Sequence, residues 1–369
     1  MNRVWRAAAG IAFGLVFALL VAEGAARVLV AQGTLPNRLP ADVFASHPIG
    51  WTLEPDLHAR IFSTNGLVEI RVNDDGFRED NYAQARTDGV SRLLVLGDSF
   101  TLALETSQEK TFHTLLETVY AGDVEVIAMG ASGYQPAQER LVYEHLGAAY
   151  DPDVVLLMLY TGNDLIGNTE WPDLPYYSLD EDGSLTLHDY PYSGAFELPL
   201  VAGQHSTRLM RSSMVAFLAG AVLNRSDGPV EGHDDVCRFQ LKENFPELTD
   251  DDWALTEALL RALRDDVEAD GKQFRVVIIP TELQVEPAQK DKFLADCGPV
   301  DRPDPAENQA RLDAFFEAEA IPYLDLLPVL QAARAETDGD LYLPGSDTHW
   351  TAAGHQVVAE ALAGWLDLP

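Results

Sequence analysis

The sequence predicts an α/β protein built around a parallel sheet. Three observations predict it: apolar runs of strand length, a helical period after each, and turn-forming residues at the junctions. The runs are 92–96 (RLLVL), 124–129, 153–160 (DVVLLMLY) and 274–280 (FRVVIIP), with a shorter one at 323–326. Strands covered on both faces read as unbroken apolar segments, whereas half-exposed strands alternate. Alternation of strand and helix implies right-handed crossovers, and hence a parallel sheet with helices on both faces.

In chain order, residues 7–22 (AAAGIAFGLVFALLVA) carry no charge, and apolar character resumes after Glu23 as far as Ala31. Arg3 and Arg6 precede this stretch and a strongly acidic chain follows it. The positive-inside bias therefore puts the N-terminus in the cytoplasm and the remainder outside. Residues 1–33 are read as a signal anchor, a transmembrane helix; the alternative is a cleaved signal peptide, although no clean Ala-x-Ala site directly follows the run. Residues 34–90 form an extended lead-in of hairpins and loops, marked by Pro55, Asn65-Gly66 and Asn73-Asp74-Asp75-Gly76. The main domain is expected over 91–369.

Within it, Phe112, Leu115, Leu116 and Val119 share one stripe of a helix predicted over 101–120. A second helix is expected over 136–149, with Pro136 near its start. An insertion at about 165–245 breaks the rhythm and is read as a lid or side wall, or else as a surface excursion; it contains an apolar helix candidate at 209–223. Thr249-Asp250-Asp251-Asp252 caps a helix through Trp253, Leu259, Leu260 and Leu263. Helices around 308–317 and 351–366 flank the fifth strand and a further helical piece.

The composition excludes several classes. Hydrophobic residues make up 47% and charged residues 23%, which is globular rather than disordered. A formal charge of −34 repels phosphates, so no nucleic-acid partner is expected; acidic excess could serve solubility in salt. No Gly-x-Gly-x-x-Gly after a strand, P-loop or His-Glu-x-x-His is found, and the cysteines do not form zinc-like pairs, so no cofactor or metal is expected. The two cysteines, Cys237 and Cys297, lie on the outer side, where they form a disulfide or remain two thiols.

The chemistry concentrates at the carboxyl ends of the strands. Gly97-Asp98-Ser99-Phe100 follows the first strand, a place that holds a serine beside helix-end amides able to stabilise an oxyanion. The bland reading is a helix-capping serine. A base is supplied by Asp347-Thr348-His349-Trp350: the imidazole takes the serine proton while the carboxylate fixes its tautomer. His355 is read as a structural residue on the last helix. Ala131-Ser132-Gly133-Tyr134 and Thr161-Gly162-Asn163-Asp164 follow the second and third strands, and Gly133 and Asn163 offer further donors where negative charge develops. Each loop alone is also an ordinary turn. In a parallel sheet, however, all of them face one crevice.

GDSF, the Gly133 loop, GND and DTHW, in this order, resemble the blocks of the SGNH/GDSL hydrolase family, from about residue 91 to the C-terminus. The resemblance implies a flavodoxin-like three-layer sandwich with a five-stranded parallel sheet and no cofactor. It also implies a site carried onto Ser99, Gly133, Asn163 and His349, with Asp347 in the acidic role. The anchor, the segment 73–78 (NDDGFR) and the insertion resemble membrane-tethered bacterial members found with exopolysaccharide O-acetyl modification. One departure is that Asp347 stands two residues before His349, where the commoner pattern has three. That spacing resembles alginate-type O-acetyltransferases, in which the serine follows the dyad in chain order, so the likeness is local. Gly130 competes with Gly133 for the second block.

These readings lead to an extracytoplasmic, membrane-anchored serine esterase. It would cleave O-acetyl groups from a glycan, with a possible place in exopolysaccharide-modification machinery. The alternatives are an O-acyltransferase using the same residues, and a silent glycan-binding protein that uses Trp171, Tyr176, Tyr177 and Tyr192 of the insertion.

Overall fold

The computed structural model describes residues 3–36, 43–63, 66–166, 174–189, 213–216, 219, 233–344 and 348–368. In chain order the elements are α1 (Arg3–Ala31), β1 (Phe44–His47), β2 (Gly50–Leu53), β3 (His58–Ser63), β4 (Gly66–Arg71), β5 (Ser91–Gly97), α2 (Ser99–Leu102), α3 (Phe112–Val119), β6 (Val124–Gly130), α4 (Pro136–His145), β7 (Val154–Tyr160), β8 (Tyr176–Leu179), β9 (Leu185–His188), α5 (His233–Asn244), α6 (Asp250–Ala269), β10 (Gln273–Ile279), α7 (Glu282–Val285), α8 (Pro287–Cys297), α9 (Pro305–Ala318), β11 (Tyr323–Asp325), α10 (Leu326–Glu336) and α11 (Ala352–Trp365).

The chain divides into two compact units. The smaller comprises residues 1–41, 59–69 and 197–230. Its helix α1 contains a stretch of 22 residues, Gly10–Ala31, with mean hydropathy 2.0, long and apolar enough to cross a membrane. Two polar contacts tie other segments to this helix. Arg60 Nη2 donates to the Val30 carbonyl at 2.5 Å, satisfying an end-of-helix acceptor. The Glu23 carboxylate accepts the N–H groups of Met214 at 2.9 Å and Val215 at 3.0 Å, and the Ser213 hydroxyl at 2.9 Å. The helix candidate at 209–223 otherwise lies outside the described residues.

The larger unit holds a five-stranded sheet in the order β11-β10-β7-β5-β6, with every pair parallel. This is a flavodoxin-like order: after β5 the chain adds β6 on one side and then β7 on the other, so the strand order reverses at β5. Ligands in open α/β sheets bind outside the carboxyl ends of the strands at such a reversal.

Successive side chains of a strand point to opposite faces, which is why unbroken apolar runs were needed here. On one face Leu94, Leu96, Ile127, Met129, Leu157 and Ile278 pack against helices α4, α6 and α9; on the other Leu93, Val95, Val126, Leu156, Met158 and Val277 pack against α3, α10 and α11. Helix α6 starts at Thr249, whose hydroxyl accepts the Asp252 N–H while the Asp252 carboxylate accepts the Thr249 N–H, a reciprocal cap. Cys237 and Cys297 form a disulfide with Cα atoms 5.4 Å apart, fastening α5 to α8.

The helix expected over 101–120 is in fact two. Helix α2 ends after Leu102, because Ala103 adopts the left-handed conformation (φ +52) and its N–H returns to the Ser99 carbonyl. After a 3-10 turn at Gln108–Lys110 the chain re-enters α-helix at Phe112, and Val119, expected on the buried stripe, is 57% exposed.

Candidate active site

Asp98 sets the nucleophile turn. Its Oδ1 accepts the Phe100 N–H at 2.8 Å, capping α2 and leaving Ser99 as the first helical residue. Ser99 itself is therefore not the cap. The turn lies directly on the strand ends because the neighbouring residues are glycines. A Cβ at Gly130 would meet Thr101 Cβ at 2.5 Å and the Asp98 carbonyl at 2.9 Å, and one at Gly97 would meet Met158 Cβ at 3.0 Å. Gly130 is thus required by packing beneath the turn. Gly133 lies in the loop beyond β6, half-buried, at φ +71, a conformation that favours glycine.

His349 is presented by a separate structure. Tyr342 and Trp350 form an isolated antiparallel bridge, and Leu343 N–H donates to the His349 carbonyl at 2.8 Å. Beneath this bridge the fully buried Glu286 accepts the N–H groups of Leu341 at 2.6 Å and Tyr342 at 3.1 Å. Arg334 Nε neutralises it at 2.5 Å, a charge-assisted contact that satisfies a costly buried carboxylate. Thr351 follows and caps α11 through the Gly354 N–H.

These two structures meet over a distance of 2.7 Å, between His349 Nε2 and Ser99 Oγ. The loop after β7 closes the third side: Thr161 is tied to the Ile279 carbonyl, and Asn163 Nδ2 donates to the Tyr134 carbonyl at 3.3 Å. Ser99 at the start of α2, and Gly133, Asn163 and His349 in loops, thus stand at one end of the sheet, all half-buried. Asp347 lies outside the described residues. His355 is buried on α11, where its Nδ1 accepts the Phe112 N–H at 3.3 Å, and burial pulls its pKa well below the usual imidazole value.

Residues 242–368 match the family described as "SGNH hydrolase-like domain, acetyltransferase AlgX". The matched stretch is the C-terminal part of the chain, about a third of it, and includes His349. A probable alginate O-acetylase AlgJ of Pseudomonas putida is 32% identical over 106 residues, which span 29% of this chain and 25% of that protein. Among solved structures, an acetyl xylan esterase covers 74% of this chain and 98% of its own at 13% identity and TM-score 0.42. A lipolytic protein of the G-D-S-L family from Desulfitobacterium hafniense covers 75% and 99% at 11% identity and TM-score 0.37.

Three buried carboxyls lie behind this site. Burial pushes Asp98 up to about 6, against the opposing pull of the Phe100 N–H, His349 and Asn163. Burial also drives Glu139 and Asp164 well above the usual carboxylate range, and the charge of Asp98 adds to both. Asp164 Oδ2 accepts the Tyr160 N–H at 2.7 Å, fastening the Asn163 loop to its strand.

Sequence reasoning missed the residues that support the site from elsewhere. Glu286 and Arg334 hold the His349 bridge, and Arg78 holds the loop after α2. Only Arg78 carried a signal, as the last residue of NDDGFR. Of the aromatic residues expected to contact a glycan, Tyr177 is a core residue instead, buried with the Arg140 guanidinium 5.2 Å from its ring centre. Tyr176 stacks on His188 at 4.7 Å, and Trp171 and Tyr192 lie outside the described residues.

Proposed function

We propose that this chain is an extracytoplasmic serine enzyme that takes up an acetyl group from an ester through an acetyl-enzyme on Ser99, with a polysaccharide as its partner. The observation that carries this reading is the 2.7 Å approach of Ser99 Oγ to His349 Nε2. At that distance Nε2, unprotonated, accepts the hydroxyl proton as Oγ attacks the ester carbonyl. The oxyanion forms beside the start of α2, within reach of backbone N–H groups, of Gly133 and of the second N–H of the Asn163 amide. Collapse expels the alcohol oxygen, which takes the proton back from His349, and leaves acetyl on Ser99. Water then attacks, its proton passing to His349 and on to Ser99 Oγ as acetate departs.

Hydrolysis needs only water, and the His349 side chain is 22% exposed. Transfer of the acetyl group to a sugar hydroxyl is the second reading, favoured by the names of the matched family and of the Pseudomonas putida relative. In it a sugar oxygen replaces the water and must exclude it. The location outside the cytoplasm is supported by the Cys237–Cys297 disulfide and by the apolar α1, which would anchor the enzyme in the membrane.

Mass spectrometry of the polysaccharide from cells carrying the parent or a Ser99→Ala chain tests this. Acetyl groups lost with the parent support hydrolysis and acetyl groups gained support transfer; identical acetylation in the two contradicts the reading.

A further inference from the structure

Two of the loops that face Ser99 are held to each other by residues 134 and 135. Tyr134 directly follows Gly133, and its carbonyl accepts an N–H from Asn163 Nδ2 at 3.3 Å. Gln135 Nε2 donates to the Asn163 carbonyl, also at 3.3 Å. Asn163 is thus gripped at its side chain and at its backbone by the two residues that follow Gly133. A primary amide carries two N–H groups in one plane, so fixing one on a carbonyl fixes the direction of the other. The Asn163 amide also pulls the Asp98 carboxyl down, so this side chain faces the nucleophile turn.

Tyr134 is in turn held from outside the sheet. Its side chain is fully buried, its ring lies 6.5 Å from that of the buried Trp51, and its hydroxyl donates to the Trp51 carbonyl. Trp51 belongs to β2, within the segment that the sequence reads as an extended lead-in. The Tyr134 N–H returns to the Ala131 carbonyl at 3.2 Å, closing the turn that carries Gly133 at φ +71. A carbonyl oxygen only accepts, so the phenol must donate, and burial pushes its pKa up and keeps that proton in place. One hydroxyl therefore links β2 to both loops that carry oxyanion donors.

We propose that Tyr134 is a positioning residue for oxyanion stabilisation: anchored to β2 through its hydroxyl, it holds the Asn163 amide at the angle from which the second N–H meets the charge developing on the ester oxygen. This rests on the reading of Ser99 as the nucleophile and deepens it. Oxyanion donors act through preorganisation, because a donor that has to turn during the reaction gives back part of what it contributes. An amide fixed at one N–H and at its own backbone carbonyl does not have to turn. The buried Tyr134 ring reaches no substrate, so its effect passes through Asn163.

The test uses the full-length chain with p-nitrophenyl acetate, and phenylboronic acid, whose adduct on a serine is tetrahedral and negatively charged, as the probe of the oxyanion site. Tyr134→Phe keeps the ring and removes the hydroxyl. It should lower kcat about 10-fold with KM nearly unchanged and raise the inhibition constant of phenylboronic acid by a similar factor. In an Asn163→Ala chain, itself slowed about 100-fold, the same substitution should cost less than about 2-fold, because the residue through which it acts is gone. Tyr143→Phe removes a hydroxyl bond to Asp270 elsewhere on α4; it should lower thermal stability and leave the rate within about 2-fold of the parent. If Tyr134→Phe does not fold, Gln135→Leu tests the other half of the grip, with about a 3-fold loss of kcat that likewise disappears in the Asn163→Ala chain. Equal losses in both backgrounds, or turnover at the parent rate by Tyr134→Phe or by Asn163→Ala, would overturn the proposal while leaving the Ser99 reading intact. A Ser99→Ala chain at the parent rate would overturn both.

Discussion

The ring of Phe100 lies 4.8 Å from that of Trp350, edge toward face, and so joins the residue after the nucleophile to the residue after the base. Both side chains are almost fully buried, and Phe100 also lies 5.1 Å from the His349 ring. Register between the two halves of the site is therefore a matter of aromatic packing. Phe100→Ala should cost about 3–5 kcal/mol of stability and lower kcat more than it raises KM. Denaturant midpoints and steady-state kinetics check this; unchanged kcat in a destabilised variant contradicts it.

Removing the carboxylate under the His349 bridge should act on both stability and rate. Glu286→Ala strands the N–H groups of Leu341 and Tyr342 without their acceptor, while the partly exposed Arg334 keeps Asp340, a loss of about 1–3 kcal/mol for each stranded donor. Thermal unfolding measures the first effect, and p-nitrophenyl acetate turnover measures the second.

The sequence made the sheet legible because a strand buried on both faces needs no partner to be recognised; unbroken apolar runs such as 154–160 declare themselves. The Thr249 cap was equally local. Ser99 and His349 were legible because each stands next to a strand end or a helix start. What stayed hidden depends on contacts between distant residues. Ala103 has no glycine to advertise its left-handed turn, and the reach of Arg78 to the Thr106 carbonyl leaves no period in the sequence.

Buried acid beneath the nucleophile predicts an inverted pH dependence. The folded chain holds a proton on Asp98, raised to about 6, that the unfolded chain releases near its ordinary value. Its contribution to stability is therefore lost as pH rises from about 4 through that value, and stays lost above it. Asp98→Asn removes this loss and keeps an oxygen for the Phe100 N–H. The variant should exceed the parent by about 1–3 kcal/mol at pH 8 and converge with it at pH 4. Urea midpoints across that range check it, and a variant weaker than the parent at pH 8 contradicts it.

The disulfide closes a separation of 60 residues, which the chain-entropy account values at about 4 kcal/mol. A Cys237→Ala, Cys297→Ala chain should melt well below the parent, and adding reductant should lower the parent alone. Equal melting temperatures contradict this.

The central claim is covalent: acetyl passes through the oxygen of Ser99. Rapid quenching of the enzyme with p-nitrophenyl acetate, followed by peptide mass spectrometry, reads it directly. The account predicts an added acetyl group on the peptide containing Ser99, accumulating in the His349→Ala chain only at a greatly reduced rate. Turnover at the parent rate with that peptide unmodified, or acetyl found on another residue that turns over as fast as product appears, would contradict it.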